Sequence, residues 1–167
     1  MAFPVIYATA TYLRRDSETL FLDYRGTTHP IHAELCAPPG GKVKEGESAE
    51  KGAAREVYEE VTIVPRSLIY RGTVLFSNEK RTLKGKLMRA NWEVAFFDCS
   101  DFDATRAHAT EGSLVWVPNE LVLSLPLHAG DRIIWKDWLL HHRTFRGTLI
   151  HEGEALTSAT LTSATSW

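Results

Sequence analysis

Residues 48–61 constrain the fold most strongly, because they form the clearest helical segment in a chain whose other long segments favour strands. Ser48 is placed to be the N-cap of this helix. Ala53, Val57 and Val61 lie on one stripe of its surface, which predicts a buried face. Strand segments lie on both sides of this helix, and a second helical segment comes later in the chain. This order predicts one mixed α+β domain.

The remaining elements are predicted from residue type and periodicity. Segments rich in Val, Ile, Tyr and Thr favour strands, and the apolar spacing within residues 131–142 indicates an amphipathic helix. The polar residues 98–112 predict a mobile loop, and residues 156–167 predict either an edge strand or a frayed tail. The predicted strands span residues 3–14, 19–25, 67–77, 87–97, 114–117 and 145–151.

Composition predicts a single globular domain spanning residues 1–167. The chain has 167 residues, of which 44% are hydrophobic and 24% are charged, and its formal net charge is −2. These values exclude a disordered or fibrous chain. Such a small charge gives no field for holding a nucleic-acid backbone, so no stable nucleic-acid partner is expected. The chain has no apolar stretch of about 18 residues, so no membrane partner is expected either.

The cysteines and the N-terminal residues predict a cytoplasmic location. Cys36 and Cys99 fit neither a disulfide framework nor a zinc site, and each is interpreted as a separate small apolar residue. The first residues contain no basic region of the kind that opens a secretory signal. A reducing cytoplasm is therefore the expected compartment.

Three carboxylates on the predicted helix form the first candidate site. Glu56, Glu59 and Glu60 are spaced at i, i+3 and i+4, which places them within about 100° of arc. Like charges at this spacing repel each other, so the cluster calls for a cation. Oxygen ligands without a nearby His or Cys favour Mg²⁺ or Mn²⁺ over Zn²⁺. The alternative interpretation is a solvated acidic helix face.

The residues upstream of these acids favour the metal interpretation. Gly40 and Gly41 free the backbone to turn sharply and to approach a ligand closely. Lys42 follows as a point charge suited to phosphate. Arg55 precedes Glu59 by four residues, so its guanidinium is placed to brace that carboxylate.

Residues 41–63 resemble the Nudix box, Gly-x5-Glu-x7-Arg-Glu-aliphatic-x-Glu-Glu-x-Gly-aliphatic. The matching positions are Gly41, Glu47, Arg55, Glu56, Val57, Glu59, Glu60 and Ile63. The exception is Thr62, which stands where the family has glycine. A left-handed cap is expected there, and a β-branched residue in that conformation costs about 1–2 kcal/mol unless the helix ends differently. We interpret Thr62 as a local change in the helix exit, since no acid of the box is missing.

The resemblance implies a metal-dependent hydrolase. Nudix proteins of this kind hydrolyse a diphosphate linkage between a nucleoside and another group. By analogy, Glu56 and Glu60 are direct ligands of Mg²⁺, for which Mn²⁺ can substitute. Glu59 binds the metal ion directly or through water, and the carbonyl oxygen of Gly41 is a further candidate ligand.

The resemblance also implies roles for residues near the metal. Arg55 orients a glutamate, Glu47 pins the loop before the helix, and Lys42 contacts phosphate. Many Nudix enzymes use an acid outside the box, and Glu111, in the polar loop before residues 114–117, is the candidate for it as base or metal ligand. The predicted catalytic residues are therefore Arg55, Glu56, Glu59 and Glu111.

Further residues resemble the MutT-type and oxidised-purine triphosphatase branch of the family. They are the PGGKV run, the Glu-Gly pair at residues 111–112 and residues 145–147. Members of this branch cleave NTPs or dNTPs to a monophosphate and pyrophosphate, often with a preference for 8-oxo-guanine. Trp116 is then the candidate for stacking on the base, and Asn119 for binding a purine edge. A core aromatic and a turn residue are the alternative interpretations of these two.

Other functions stay open within the same resemblance. A nucleotide sugar, a dinucleotide polyphosphate or an RNA cap is an alternative substrate, and a non-catalytic nucleotide-binding Nudix module is an alternative to an enzyme. The implied fold is an α/β/α sandwich with a mixed central sheet. Homodimers are frequent in the family, and Trp135, Trp138 and the terminal Trp167 are the candidates for such an interface.

Overall fold

The computed structural model describes residues 3–83, 86–152 and 155–164. In these residues the chain forms one large sheet with a helix on each face. Short 3-10 turns occur at Asn119–Ser124 and Leu139–His141. The strands and helices, in chain order, are β1 (Val5–Arg15), β2 (Glu18–Asp23), β3 (Cys36–Ala37), β4 (Gly40–Lys42), α1 (Ala49–Val61), β5 (Val64–Leu83), β6 (Lys86–Asp103), β7 (Ser113–Pro118), α2 (Ala129–Asp137), β8 (Phe145–Glu152) and β9 (Ala155–Ser163).

The sheet is mixed. Its strands follow the order β3-β2-β1-β6-β5-β8-β9, with β4 paired to β1 and β7 paired to β2. The pairs β1–β6 and β5–β8 are parallel, and the other pairs are antiparallel. A mixed sheet with few helices confirms the predicted α+β class.

The two helices cover opposite faces of the sheet. Neighbouring residues of a strand point to opposite faces, and in β1 the neighbours Tyr12 and Leu13 are both buried. Tyr12 packs in the core of α2, where its ring lies 5.7 Å from that of Trp135. Leu13 packs in the core of α1 with Val57 and Val61. Two cores divided by one sheet give the expected α/β/α sandwich.

The predicted elements are confirmed in type and differ mainly at their ends. Strand β6 continues to Asp103, so residues 98–103, predicted as loop, belong to the long hairpin with β5. Helix α2 ends at Asp137, and a 3-10 turn replaces its predicted last turn. Strand β9 pairs with β8, which confirms the edge-strand interpretation of the tail as far as it is described.

The candidate dimer residue Trp135 is corrected by its burial. Only 1% of its surface is exposed, because its ring packs between Tyr12 and Phe21. Trp138 is partly buried against Phe145, at a ring distance of 5.9 Å. Trp167 lies outside the described residues. Trp135 therefore offers no open face for a partner, whereas Trp138 keeps intermediate exposure and its place at an interface stays a prediction.

Two other expectations concern single residues and the membrane. Cys36 and Cys99 are both free and buried, which confirms them as separate apolar residues. Neither helix in the described part of the chain has the length and hydrophobicity needed to cross a bilayer.

Candidate active site

Helix α1 begins at the cap that the sequence predicts. The hydroxyl of Ser48 accepts the backbone N–H of Lys51 at 3.2 Å. The stripe of Ala53, Val57 and Val61 is completely buried, which fixes the rotation of the helix about its axis. Its carboxylates therefore lie at the margin of the buried face, beside β4.

Arg55 is the centre of an ion-pair cluster that joins the helix to the preceding loop. Its guanidinium donates to Glu47 through Nε at 2.8 Å and through Nη2 at 3.0 Å. Its Nη1 donates to Glu56 Oε1 at 2.6 Å and to Glu59 Oε2 at 2.8 Å. Its Nη2 also donates to the carbonyl of Lys42 at 2.9 Å. One cation thus holds three carboxylates together and ties them to the end of β4.

Glu47 anchors the loop before the helix in its ionised form. The contact with Arg55 and the N–H of Lys44, which Glu47 accepts at 2.9 Å, lower the pKa of Glu47 to about 2. This geometry agrees with the expected loop-pinning role of Glu47 and the bracing role of Arg55.

Two glycines of β4 bring the backbone directly against the carboxylates. Gly40 N–H donates to Glu60 Oε2 at 2.8 Å. A Cβ at Gly41 would lie 2.5 Å from the carboxylate carbon of Glu56, and a Cβ at Gly40 would lie 2.1 Å from the carbonyl oxygen of Thr9. No side chain fits at either position without a shift, so close approach explains both glycines.

Glu60 is the acid whose ionisation its surroundings oppose most clearly. Burial raises the pKa of Glu60 to about 8, and the nearby negative charges of Glu56, Glu111 and Glu59 add to this rise, while the Gly40 N–H opposes it. A bound cation would favour the ionised form, because it offsets the neighbouring charges and replaces lost hydration.

The residues present fit a divalent metal ion in their chemistry. Glu56, Glu59, Glu60 and the carbonyl of Gly41 supply only oxygen donors, the set that Mg²⁺ and Mn²⁺ prefer. Arg55 occupies two of these carboxylates. Among the residues that the structure describes, no three His, Cys, Asp or Glu side chains are grouped so that they hold one ion. Metal binding therefore requires the carboxylates to rearrange around Arg55.

Glu111 lies close to these acids. The residue before it, Thr110, donates its backbone N–H to the carbonyl of Glu60 at 2.9 Å. The Glu111 carboxylate is half exposed, and its Oε2 lies 4.0 Å from His29 Nε2. Its charge contributes to the raised pKa of Glu60. Glu111 is thus near enough to influence the box acids and open enough to reach a water molecule.

Glu56 and Glu60 are among the residues that line a cavity of about 410 Å³. Lys42 also lines it, and its Nζ lies 5.8 Å from the ring centroid of Trp92. The cavity therefore joins two acids and a lysine to an aromatic wall. The remaining lining includes Phe76, Val94 and Phe96 from the sheet, Ile31 and the histidines 29, 32 and 128, and Asp131 of α2.

Trp116 and Asn119 are not among the residues that line this cavity. Trp116 stacks on Phe102 at a ring distance of 6.0 Å. The guanidinium of Arg15 lies over the Trp116 ring, 4.1 Å from its centroid. Asn119 accepts the hydroxyl of Thr19 at 2.8 Å where β7 ends. The packed aromatic and the turn residue fit the surroundings of these two side chains, and their role as base contacts stays a prediction.

Sequence reasoning missed the residues that form the wall of the cavity. The rings of His29 and His32 are stacked at 4.9 Å, and His32 Nδ1 lies 3.0 Å from His128 Nε2. Trp92 has the sequence signal of an ordinary strand aromatic, and Asp131 that of an acid in a first helical turn. Three separate parts of the chain supply these residues, so no local spacing connects them.

The Nudix domain family model matches residues 6–139 of this chain. This match covers most of the chain and includes both the box and helix α2, and the chain belongs to the Nudix family. It is a Nudix hydrolase, and Nudix hydrolases generally use divalent metal ions and act on small nucleotide substrates at a diphosphate linkage.

Solved structures of MutT proteins are similar over most of the chain. A MutT protein from Bacillus halodurans is 26% identical with a TM-score of 0.77, over 93% of this chain and 97% of that one. A MutT protein from Methanosarcina mazei is 27% identical with a TM-score of 0.63, over 81% of this chain and 94% of that one. The ORF135 protein of E. coli, at 22% identity and a TM-score of 0.62 over 84% of this chain and 92% of that one, shares the fold. The two MutT proteins support the MutT-type branch.

Proposed function

We propose that this enzyme hydrolyses nucleoside triphosphates, (d)NTP to (d)NMP and pyrophosphate, with Mg²⁺, and that it favours oxidised purines such as 8-oxo-dGTP. The observation that carries the proposal is the cavity beside the box acids. Its lining combines aromatic side chains, which suit a base, with Glu56 and Glu60, which suit metal-bound phosphates. The similarity to MutT proteins supports the same assignment.

The box residues hold the metal and the phosphates in this proposal. Glu56, Glu60 and the Gly41 carbonyl are the direct metal ligands, with Glu59 direct or through water. A Mg²⁺ ion held by these residues would supply positive charge against the phosphates and would lower the pKa of a bound water molecule. Lys42, between the acids and the aromatic wall, binds a phosphate oxygen. Arg55 holds the glutamates near the metal site while their contacts change from its guanidinium to the metal ion.

Glu111 is the proposed base. It takes a proton from the attacking water as the water oxygen bonds to phosphorus, and the anhydride P–O bond breaks to release pyrophosphate. Its half-exposed carboxylate beside the acids supports this role. The raised pKa of Glu60 does not make it the proposed base. Its carboxylate accepts the Gly40 N–H and is assigned to the metal ion.

Trp92 and Asp131 take over the base contacts first expected of Trp116 and Asn119. Trp92, a buried aromatic of the cavity wall, is the candidate for stacking on the base. The carboxylate of Asp131 lines the same cavity and accepts hydrogen bonds, which suits a purine edge that donates N–H groups. A guanine-type edge presents such donors.

A dinucleotide polyphosphate is a second candidate substrate because of a second groove. This groove, of about 440 Å³, is lined by the half-exposed Tyr7 and Tyr70. Lys44 lines it too and links it to the acids, since its Nζ lies 3.8 Å from Glu59 Oε1. The two tyrosines offer aromatic faces for a second base. Among the residues that the structure describes, no comparable feature favours a nucleotide sugar, an RNA cap or a non-catalytic module over a triphosphate.

Product analysis tests these candidates directly. The purified protein is incubated with Mg²⁺ and the NTPs, dNTPs, 8-oxo-dGTP, a nucleotide sugar, a dinucleotide polyphosphate and capped RNA, and products are separated by HPLC. The proposal expects monophosphate and pyrophosphate from triphosphates, fastest from 8-oxo-dGTP, with no product in EDTA. Turnover of the dinucleotide alone would favour the second candidate. Tight binding without turnover of any compound would favour the non-catalytic module.

A further inference from the structure

Thr62 ends helix α1 in a conformation that its side chain disfavours. Its φ is +54° and its ψ is +24°, the left-handed region in which glycine is the usual residue. Branching at Cβ makes this conformation costly for threonine. Its backbone N–H still closes the helix by donating to the carbonyl of Tyr58 at 2.9 Å. The helix therefore ends as the family pattern predicts, although the residue is not the one that favours this ending.

The Thr62 hydroxyl makes the contact that a glycine lacks. Its Oγ1 donates to the carbonyl of Arg106, and the carbonyls of Val61 and His108 lie within reach at 2.7 and 3.5 Å. Arg106 and His108 belong to the loop of residues 104–112, which joins β6 to β7. The hydroxyl thus connects the end of the catalytic helix to this loop.

Backbone bonds complete the same junction. His108 N–H donates to the carbonyl of Val61, and Thr110 N–H donates to the carbonyl of Glu60, each at 2.9 Å. These carbonyls belong to the last turn of the helix, which has no further helical partners for them. The loop is therefore bound to the turn that carries Glu60, and the next residue after Thr110 is Glu111.

We propose that Thr62 is a positioning residue for Glu111. Its hydroxyl latches the 104–112 loop to the end of α1, so that the Glu111 carboxylate keeps its place beside the acids of the box. The proposal rests on the proposed role of Glu111 in hydrolysis. Threonine in place of the family glycine then has a function. The side chain that disfavours this helix ending also supplies the hydroxyl that binds the loop.

Three substitutions at Thr62 separate the hydroxyl from the backbone strain. Thr62→Gly removes both, Thr62→Val removes the hydroxyl and keeps the branching, and Thr62→Ser keeps the hydroxyl. We expect kcat for the best triphosphate to fall about fivefold in both Thr62→Gly and Thr62→Val, with KM unchanged, and to stay within twofold in Thr62→Ser. The melting temperatures should differ, with Thr62→Val the lowest.

The matched control is Thr105→Val, because the Thr105 hydroxyl binds the Asp103 side chain and makes no bond to the helix. Its kcat should stay at the wild-type value. A kcat that follows the melting temperature, or an equal loss in Thr105→Val, would show a merely structural role for Thr62. A loss that appears in KM and not in kcat would overturn the proposal as well.

A double substitution separates this inference from the proposed function. In Glu111→Gln, the added change Thr62→Val should lower kcat no further, because the group that the latch positions is already gone. A full additional fivefold loss would contradict the latch. If Glu111→Gln is impaired but the Thr62 variants are not, only the latch fails. If wild-type protein hydrolyses no triphosphate with Mg²⁺, the proposed function fails first.

Discussion

Two charge clusters of this protein have opposite composition. Around Arg55, one guanidinium binds the carboxylates of Glu47, Glu56 and Glu59. These side chains border a cavity or solvent, and the Glu60 carboxyl lies beside them without a cationic partner of its own among the described ion pairs. The cluster therefore has an excess of carboxylates over cations at the edge of an open site.

Around Asp98 the excess is reversed. Its two oxygens each accept a guanidinium Nε at 2.7 Å, one from Arg14 and one from Arg71. The side chains of Asp98 and Arg14 are only 4% and 7% exposed. Arg14 Nη2 also donates to the carbonyl of Leu139 at 2.8 Å, which ties the sheet to the turn after α2.

The comparison distinguishes a cluster whose charges the protein itself satisfies from one that we propose to bind a metal ion. The carboxylate of Asp98 is enclosed, has two cationic partners and joins two parts of the fold, so its charges are satisfied by the protein itself. The carboxylates near Arg55 outnumber the cations that contact them, Arg55 and Lys44, and face a cavity that has room for a ligand. An uncompensated charge at an open site calls for a mobile ion. Neutral substitutions in the Arg55 cluster should therefore lower activity, whereas a neutral substitution in the Asp98 cluster should lower stability.

The largest expected effect is on activity, at the acids that line the cavity. Glu56→Gln and Glu60→Gln should each lower kcat/KM at least about 100-fold, because each removes charge from the metal site. Pyrophosphate release measures the activity, and circular dichroism melting should show a retained fold. Glu50→Gln, at an exposed acid in the first turn of the same helix, is the control and should behave as wild type. Near-native turnover in either active-site variant would contradict the metal-site assignment.

Asp98→Asn should show the reverse pattern, a loss of stability without a loss of chemistry. It breaks a buried ion pair and leaves Arg14 without its carboxylate, a change that costs about 3–5 kcal/mol. Urea unfolding measures the free energy of unfolding. The control, Asp101→Asn, removes an exposed carboxylate 3.4 Å from Arg66 and should cost less than about 1 kcal/mol. If Asp98→Asn is as stable as wild type but inactive, the Asp98 cluster acts in catalysis, and the contrast between the two clusters is wrong.

A smaller effect distinguishes the two tryptophans considered for the base. Trp92→Leu should raise KM for the best triphosphate about tenfold, because an aromatic contact contributes about 0.5–1.5 kcal/mol beyond its buried area. Trp116→Leu should leave KM unchanged, since Trp116 packs on Phe102 outside the cavity. Steady-state kinetics with both variants gives the answer. If Trp116→Leu raises KM and Trp92→Leu does not, Trp116 is the residue that stacks on the base.

The smallest expected effect is the pH dependence of stability at Glu47. Its folded pKa of about 2 lies below its ordinary value of about 4.5, so the ionised group stabilises the fold above pH 4.5 and this contribution is lost as pH falls towards 2. Glu47→Gln should therefore melt below wild type at pH 7, and the difference should shrink below pH 4.5. Glu45→Gln, in the exposed part of the same loop, is the control. A difference that stays constant with pH would show that Arg55 does not act through the charge.

The local part of the site was predictable because its residues lie within one continuous segment. The helix period places Glu56 and Glu60 together. Gly40 and Gly41, before the helix, indicate that the backbone approaches them closely. The same holds for the Ser48 cap. The left-handed ending at Thr62 followed from its position in the box, but its bond to Arg106 did not, because that partner lies far along the chain.

The cavity was not predictable for a related reason. Alternation along a strand tells which residues share a face, but it does not tell which face borders the ligand. Trp92 and Trp116 are both strand aromatics, and only the packing of α2 and the 24–35 loop places Trp92 in the cavity wall. The polar end of β6 was similarly missed, since exposed strand residues such as Asp101 resemble a loop in composition.

Electron paramagnetic resonance of Mn²⁺ measures whether the charge cluster around Arg55 binds a metal ion. Free Mn²⁺ is titrated with wild-type protein, Glu60→Gln and Asp98→Asn. We expect wild type and Asp98→Asn both to remove the free-ion signal, and Glu60→Gln to bind Mn²⁺ much more weakly. Equal binding by wild type and Glu60→Gln, or no binding by folded wild-type protein, would contradict metal binding by this cluster.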